Sequence, residues 1–288
     1  MKYVIYYTLF AFSILIAQLK VPEEFNEGVK YMEQGEYELA AKYFQDAINK
    51  NPKLAPAWFN LAVSYDITGQ DSLSIICYQK AAKLDPEDPD PWIYLAQLYQ
   101  RHDNPRLAIR AYENAISRKP NDAKLLNSLA IAYDQIGRYK DALSAINTAI
   151  KIDSKYISAI INKIIILNHL QMYDSAIYFC QNFLKKHRKD PISWTQLAYA
   201  YYKKKDYKNA SEAIDSALNI YPSLGIAHYY KGLILLKKGN VNGSIEEIKK
   251  AISLDPYYKS MAINDPELDI LRNNKKFKAM LENVNSEQ

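Results

Sequence analysis

Glycine, cysteine and histidine are scarce: the 288 residues hold eight Gly, two Cys and four His. So few glycines leave no Gly-rich phosphate loop and no Gly-x-Ser-x-Gly elbow. The histidines, His102, His169, His187 and His228, fall in no His-Glu-x-x-His or other metal-ligand spacing. Cys77 and Cys180 sit in no Cys-x-x-Cys or Cys/His cluster, so neither a metal nor a redox role has a motif to rest on. Charge is also muted. The net charge of +5 is spread along the chain, whereas nucleic-acid binders usually cluster it on one face. The basic runs Lys185-Lys186-His187-Arg188-Lys189 and Lys203-Lys204-Lys205 read as solvated helix ends. The sequence therefore predicts no enzyme, no cofactor, no metal and no nucleic-acid partner.

What is present is an ordered, helix-forming composition, with 49% apolar and 24% charged residues and 25 tyrosines. Long apolar runs are confined to the first residues, where Met1-Lys2 precede the stretch Val4–Ala17. That stretch is shorter than the roughly 20 residues needed to span a bilayer and has the length of a signal-peptide core. Residues 1–17 are expected to be a signal peptide or an N-terminal membrane anchor. Ala17 offers a small residue for cleavage, while Leu15 departs from the small-x-small pattern and keeps the anchor open. No Cys follows for lipid attachment. The expectation is export, to the periplasm or envelope in a Gram-negative host, with membrane association through this segment.

From Val21 the chain divides into seven consecutive 34-residue blocks without insertion or deletion, at 21–54, 55–88, 89–122, 123–156, 157–190, 191–224 and 225–258. Position 20 is Ala40, Ser74, Ala108, Ala142, Ala176, Ala210 and Ser244. Position 27 is Ala in every block but the fifth, which has Phe183. Position 8 is Gly28, Ala62, Ala96, Ala130, Ile164, Ala198 and Gly232. Position 11 is Tyr31, Tyr65, Tyr99, Tyr133, Leu167, Tyr201 and Leu235. Small side chains at three fixed positions let two antiparallel helices approach closely, and Trp58, Trp92, Trp194, Phe44, Tyr78 and Tyr112 fill the space between blocks. Gly35, Gly69, Gly137 and Gly239 fall at the turn inside the block, where a positive φ suits Gly. Pro52, Pro86, Pro120, Pro222 and Pro256 end second helices. The two cysteines lie about three blocks apart, too far for the ~6 Å Cα separation of a disulfide, and read as small buried side chains.

These residues resemble the tetratricopeptide repeat family over Val21 to Tyr258, most fully in the second block with Trp58, Leu61, Ala62, Tyr65, Gly69, Tyr78, Ala81 and Pro86. The resemblance implies an all-α, right-handed superhelical solenoid of seven helix-turn-helix repeats. The fifth block departs most: Lys163 and Ile164 replace the usual Leu-Gly/Ala pair, Phe183 replaces Ala and Arg188 replaces Pro, which predicts altered local packing. A capping element is expected over 259–288, with Asp265 as N-cap, Pro266 in the first turn, and Leu268, Leu271, Phe277, Met280 and Leu281 on the exposed end of the last block.

The resemblance also implies where a partner would bind. In this family the first helices line a concave groove, with positions 2, 5, 6, 9, 12 and 13 pointing into it. In this chain those positions include Phe59, Asn60, Tyr94, Gln97, Asn127, Asp134, Asn162, Tyr199, Tyr202 and Tyr230. Amide side chains satisfy both halves of a peptide group, and tyrosine rings give large, stiff contact area. The expected function is a non-catalytic adaptor or scaffold that holds a protein or peptide segment in the groove. The alternatives are a structural subunit of a cell-envelope assembly, acting through its convex face or its ends, and small-molecule or glycan binding. No Lys occurs at position 5, so the clamp that holds paired carboxylates in some family members is absent, and the position-6 Asn ladder is only partial (Asn26, Asn60, Asn162).

Overall fold

A computed structural model describes residues 21–283; the expected signal or anchor at 1–17 and the end of the tail lie outside the described residues. Among the described residues every regular element is a helix. The chain divides into two compact units, one ending at Ile136 and the other beginning at Gly137. The first contains α1 (Glu23–Glu33), α2 (Tyr37–Lys50), α3 (Ala55–Ile67), α4 (Asp71–Leu84), α5 (Asp90–Arg101), α6 (Pro105–Arg118) and α7 (Ala123–Gln135). The second contains α8 (Tyr139–Ile152), α9 (Ile157–His169), α10 (Tyr173–Leu184), α11 (Pro191–Lys203), α12 (Tyr207–Ile220), α13 (Gly225–Lys237) and α14 (Val241–Leu254). It ends with α15 (Tyr257–Asn264), a 3₁₀ helix η1 (Pro266–Leu271) and α16 (Lys275–Asn283).

Within each unit consecutive helices pack on each other. First helices also touch the next first helix along: α1 meets α3, α9 meets α11 and α11 meets α13. The small-residue columns explain how. Ala40, Ala62, Ala108, Ala198 and Ala210 are fully buried at the crossings. At Gly28 even a Cβ would come within 2.7 Å of the Phe44 ring, so the crossing of α1 and α2 requires glycine. The large residues then close the spaces between pairs: Phe44, Leu61, Tyr78, Leu95 and Tyr112 are fully or almost fully buried in the first unit. Each buried leucine of this kind contributes about 2 kcal/mol.

The turn inside each block has one conformation throughout. Position 15 has positive φ in all seven blocks: 80°, 74°, 75° and 82° at Gly35, Gly69, Gly137 and Gly239, and 51°, 59° and 62° at Asp103, Gln171 and Lys205. The left-handed residue closes the preceding helix with a six-residue backbone bond to the position-11 carbonyl. Examples are Gln70 N to Tyr65 O at 2.7 Å, Asp206 N to Tyr201 O at 2.9 Å and Asn240 N to Leu235 O at 2.9 Å.

The fifth block departs as its sequence predicts, and the structure shows how. Its second helix, α10, has 12 residues, where α4 and α12 each have 14. Phe183, larger than the Ala it replaces, stacks on His187 with ring centroids 4.3 Å apart. The last turn tightens into a bond from Lys186 N to Phe183 O at 3.1 Å.

The cap differs from the single helix expected from Asp265 onward. Asp265 does act as an N-cap, accepting from Glu267 N at 2.9 Å, but for the short 3₁₀ helix η1. A second cap, Asn274, then starts α16 by accepting from Lys276 N at 2.9 Å. Breaking the segment twice lets Leu268, Leu271, Phe277 and Met280 all reach the core of the second unit.

Candidate functional site

The predicted site residues fall into two sets, which the two units hold separately. Phe59, Asn60, Tyr94, Gln97, Asn127 and Asp134 belong to the first unit; Asn162, Tyr199, Tyr202 and Tyr230 belong to the second.

In the first unit, α3 and α5 bring Phe59 and Tyr94 together at 5.3 Å in an edge-on arrangement. Beneath them lies Tyr78 from α4, stacked on Tyr94 at 5.5 Å and tilted against Phe59 at 5.6 Å. Tyr78 is fully buried, whereas Tyr94 keeps 37% of its surface open. The three rings thus form a fixed platform with one free face. Gln97, one turn further along α5, is exposed beside it, and Asn60 is half-buried. Charged groups border this platform: Arg101 pairs with Asp66 and, at 3.5 Å, with Asp71. His102 lies 2.5 Å from the other Asp71 oxygen. Asp66 and Arg101 are recognisable as groove positions in the sequence; their pairing, which joins two successive blocks, is not. Asn127 is buried at 5% exposure, so it supports the first-helix face from beneath, and Asp134 is half-buried.

In the second unit, Tyr199 on α11 and Tyr230 on α13 stack obliquely at 5.0 Å, and Tyr173 meets Tyr199 edge-on at 6.5 Å. Lys203 lies 5.6 Å from the centres of the Tyr199 and Tyr202 rings. The capping segment reaches this same side. Glu267 of η1 places its two carboxylate oxygens 3.1 Å from Lys203 Nζ and 2.7 Å from Lys237 Nζ. Asp265 accepts a 2.8 Å hydrogen bond from the Tyr229 hydroxyl. Burial alone would raise the Glu267 pKa, but hydrogen bonds from Lys237 and Lys203, helped by the nearby Tyr202 hydroxyl, hold it at about 2. Tyr202 itself is only 3% exposed. Asn162 is half-buried on α9. The docking of Glu267 onto successive position-13 lysines is the feature the sequence reading missed, although two such lysines and a facing carboxylate are visible in it.

Neither cysteine is poised for chemistry. Both are free and buried, and burial pushes the thiols up, to about 11 at Cys77 and about 12 at Cys180. Among the described residues no cluster of three or more His, Cys, Asp or Glu could hold a metal. No helix among them is long and apolar enough to cross a membrane.

Comparison with known proteins agrees with this architecture. A tetratricopeptide repeat family description matches residues 25–89 and 95–157, and a second tetratricopeptide repeat description matches 77–110. The description of anaphase-promoting complex (cyclosome) subunit 3 matches 169–251. Over 80 residues the chain is 41% identical to a TPR repeat-containing protein of Methanocaldococcus jannaschii. That match takes in 28% of this chain and 14% of the relative, so it spans about one-seventh of that protein's length. Among solved structures, a tetratricopeptide repeat protein from Parabacteroides merdae superposes with a TM-score of 0.64 at 17% identity, over 90% of this chain and 96% of that one. PilW, described as a widely conserved type IV pilus biogenesis factor, gives a TM-score of 0.58 at 18% identity, over 76% of this chain and 98% of its own. At such identities the likeness is one of fold.

Proposed function

The chain belongs to the tetratricopeptide repeat family, and from that premise we propose that it is a non-catalytic adaptor that holds a segment of another protein against its first-helix faces. The repeats are assigned to the seven blocks of 21–258, and residues 1–17 to export or anchoring. The observation that carries the reading is the Phe59–Tyr78–Tyr94 platform. Its rings are locked together from below and open above, so a partner side chain laid on it would bury apolar area without first ordering the site. Gln97 and Asn60 supply amides beside the platform that can pair with a peptide backbone. In the second unit Tyr199, Tyr230 and Asn162 offer the same chemistry. Asn127, Asp134 and Tyr202 shape the two faces from beneath or from the side.

An envelope role draws support from the apolar segment Val4–Ala17 and from the fold shared with PilW. It remains part of the proposal.

Co-purification from the native envelope tests the reading, comparing the wild type with Tyr94→Ala combined with Gln97→Ala. Both side chains are exposed, so helicity and melting should be unchanged. Loss of a discrete protein from the variant's captured set is the expected result. An identical set from both proteins would remove the first-helix face as the binding surface.

A further inference from the structure

The fifth block's irregularity creates a cleft on a different side of the second unit. Because α10 stops two residues short, the ends of α10, α11 and α12 enclose a space of about 530 Å³. Its floor is apolar, made by Leu184, Trp194, Leu197 and Ala213. Trp194, Leu197 and Tyr201 occupy positions 4, 7 and 11 of their block and so share one face of α11. Tyr199, Tyr202 and Tyr230 do not line the cleft.

The rim carries opposite charges on its two sides. Lys185 and Arg188 stand at the α10 end and Glu212 stands on α12. Arg188 occupies position 32, which is Pro52, Pro86, Pro120, Pro222 and Pro256 in five other blocks. Its backbone is fixed, since its carbonyl accepts a 2.9 Å hydrogen bond from Trp194 Nε1. The loop around it is exposed and basic, with Lys186 and Lys189 adjoining. The acidic group in that loop, Asp190, is turned inward as the N-cap of α11, accepting from Ser193 N at 2.7 Å. Lys185 is engaged with the Asn182 amide rather than with an acid.

We propose that this cleft is a second binding site, for an acidic segment of a partner protein that places an apolar side chain on Trp194 and carboxylates against Lys185 and Arg188. Charge complementarity selects the acidic partner. The recessed apolar floor calls for a side chain as well as a charge. Glu212 on the facing rim disfavours a polyanion such as nucleic acid or an anionic lipid surface, whose next phosphate would fall against it. The site is independent of the first-helix faces.

A random heptapeptide phage library panned on the full chain tests it, with the recovered peptides then measured on two variants. Lys185→Glu with Arg188→Glu reverses the rim; Tyr94→Ala with Gln97→Ala alters the first-helix platform. All four side chains are exposed, and unchanged circular dichroism confirms that each variant is folded. The expected peptides are rich in Asp and Glu around one large apolar residue, bind the rim variant about tenfold more weakly, and bind the platform variant as they bind the wild type. Peptides that bind the rim variant undiminished, or that show no acidic excess, would overturn the proposal. So would rim-dependent capture of phosphatidylglycerol vesicles or a single-stranded oligonucleotide with no rim-dependent peptide. Peptides lost only on the platform variant would support the first-helix reading and sink this one.

Discussion

Lys237 Nζ lies 2.7 Å from Glu267, so the last first helix of the second unit is tied by charge to the capping segment that follows it. The second carboxylate oxygen meets Lys203, one block earlier. The cap is therefore fastened twice: by apolar burial of Leu268, Leu271, Phe277 and Met280, and by one carboxylate bridging two repeats. A cap held only by apolar contact could slide along the end of the stack, whereas the bridge fixes its register.

This bridge makes the cap sensitive to acid. The Glu267 carboxyl is held at about 2 in the folded chain, below its ordinary value of 4.5. Its contribution is thus fully present above about pH 4.5 and is lost as pH falls toward 2. The groups are partly open to water, which screens the pair, so Glu267→Gln should cost about 1–2 kcal/mol at neutral pH. Urea unfolding of wild type and variant at several pH values checks this. The difference should shrink steadily below pH 4.5, and a difference independent of pH would refute the bridge.

Position 15 yields a second prediction. The left-handed turn costs a non-glycine residue roughly 1 kcal/mol, and Gln171 and Lys205 bear that cost at φ 59° and 62°. Both are exposed. Gln171→Gly and Lys205→Gly should each stabilise the chain by about 0.5–1 kcal/mol, with some of the gain offset by the more flexible unfolded chain. Gly69→Ala, at φ 74°, should lose about 1 kcal/mol. Thermal melts of the three variants decide it, and a fall in Tm for both glycine variants would contradict the turn geometry.

Two serines in one column should behave in opposite ways. Ser74 Oγ donates to Ala62 O at 2.9 Å, spanning the crossing of α3 and α4. Ser244 holds the same position in the last block, also fully buried, but its hydroxyl has no hydrogen-bond partner. Ser74→Ala should therefore cost about 1 kcal/mol, while Ser244→Ala should be neutral or stabilising. Equal losses in chemical denaturation would show that Ser244 is satisfied after all.

Much of this architecture is legible in the sequence because repetition averages out local noise. One small residue says little, but small residues at positions 8, 20 and 27 across the blocks specify a helix crossing, and the buried Ala40, Ala62 and Ala210 realise it. The turn glycines were readable for the same reason, although Asp103, Gln171 and Lys205 take the same backbone conformation with no glycine to mark it. The site was less legible because register gives the direction of a side chain, not what fills the space before it. Tyr94 and Gln97 are exposed as their positions imply. Tyr202 and Asn127 are buried, since capping residues and neighbouring helices take up the space around them. The Glu267 bridge spans 64 residues of sequence to Lys203, and no 34-residue periodicity announces it.

The third block carries a competition that can be measured. At position 4 of three blocks a ring nitrogen bonds the carbonyl six residues earlier: Trp58 to Pro52 at 2.9 Å, Trp194 to Arg188 at 2.9 Å, and His228 Nε2 to Pro222 at 2.7 Å. Trp92 has the same place, yet its indole N–H is buried without a partner, because Arg118 Nε donates to the Pro86 carbonyl instead. The guanidinium lies 5.7 Å from the centre of the Trp92 ring and also donates to Asn114 O at 2.7 Å. An orphaned buried donor costs roughly 1–3 kcal/mol, which the two arginine bonds and the cation–π contact offset. Arg118→Met should free the Pro86 carbonyl for Trp92 and cost less than 1 kcal/mol despite removing those bonds. Trp92→Phe should then be more harmful in the Arg118→Met chain than in the wild type, because only there does the indole N–H have a bond to lose. A double-mutant cycle by equilibrium unfolding should give a coupling of about 1 kcal/mol. Additive losses would mean that the indole gains nothing when the arginine leaves, and the two residues would then be neighbours rather than competitors.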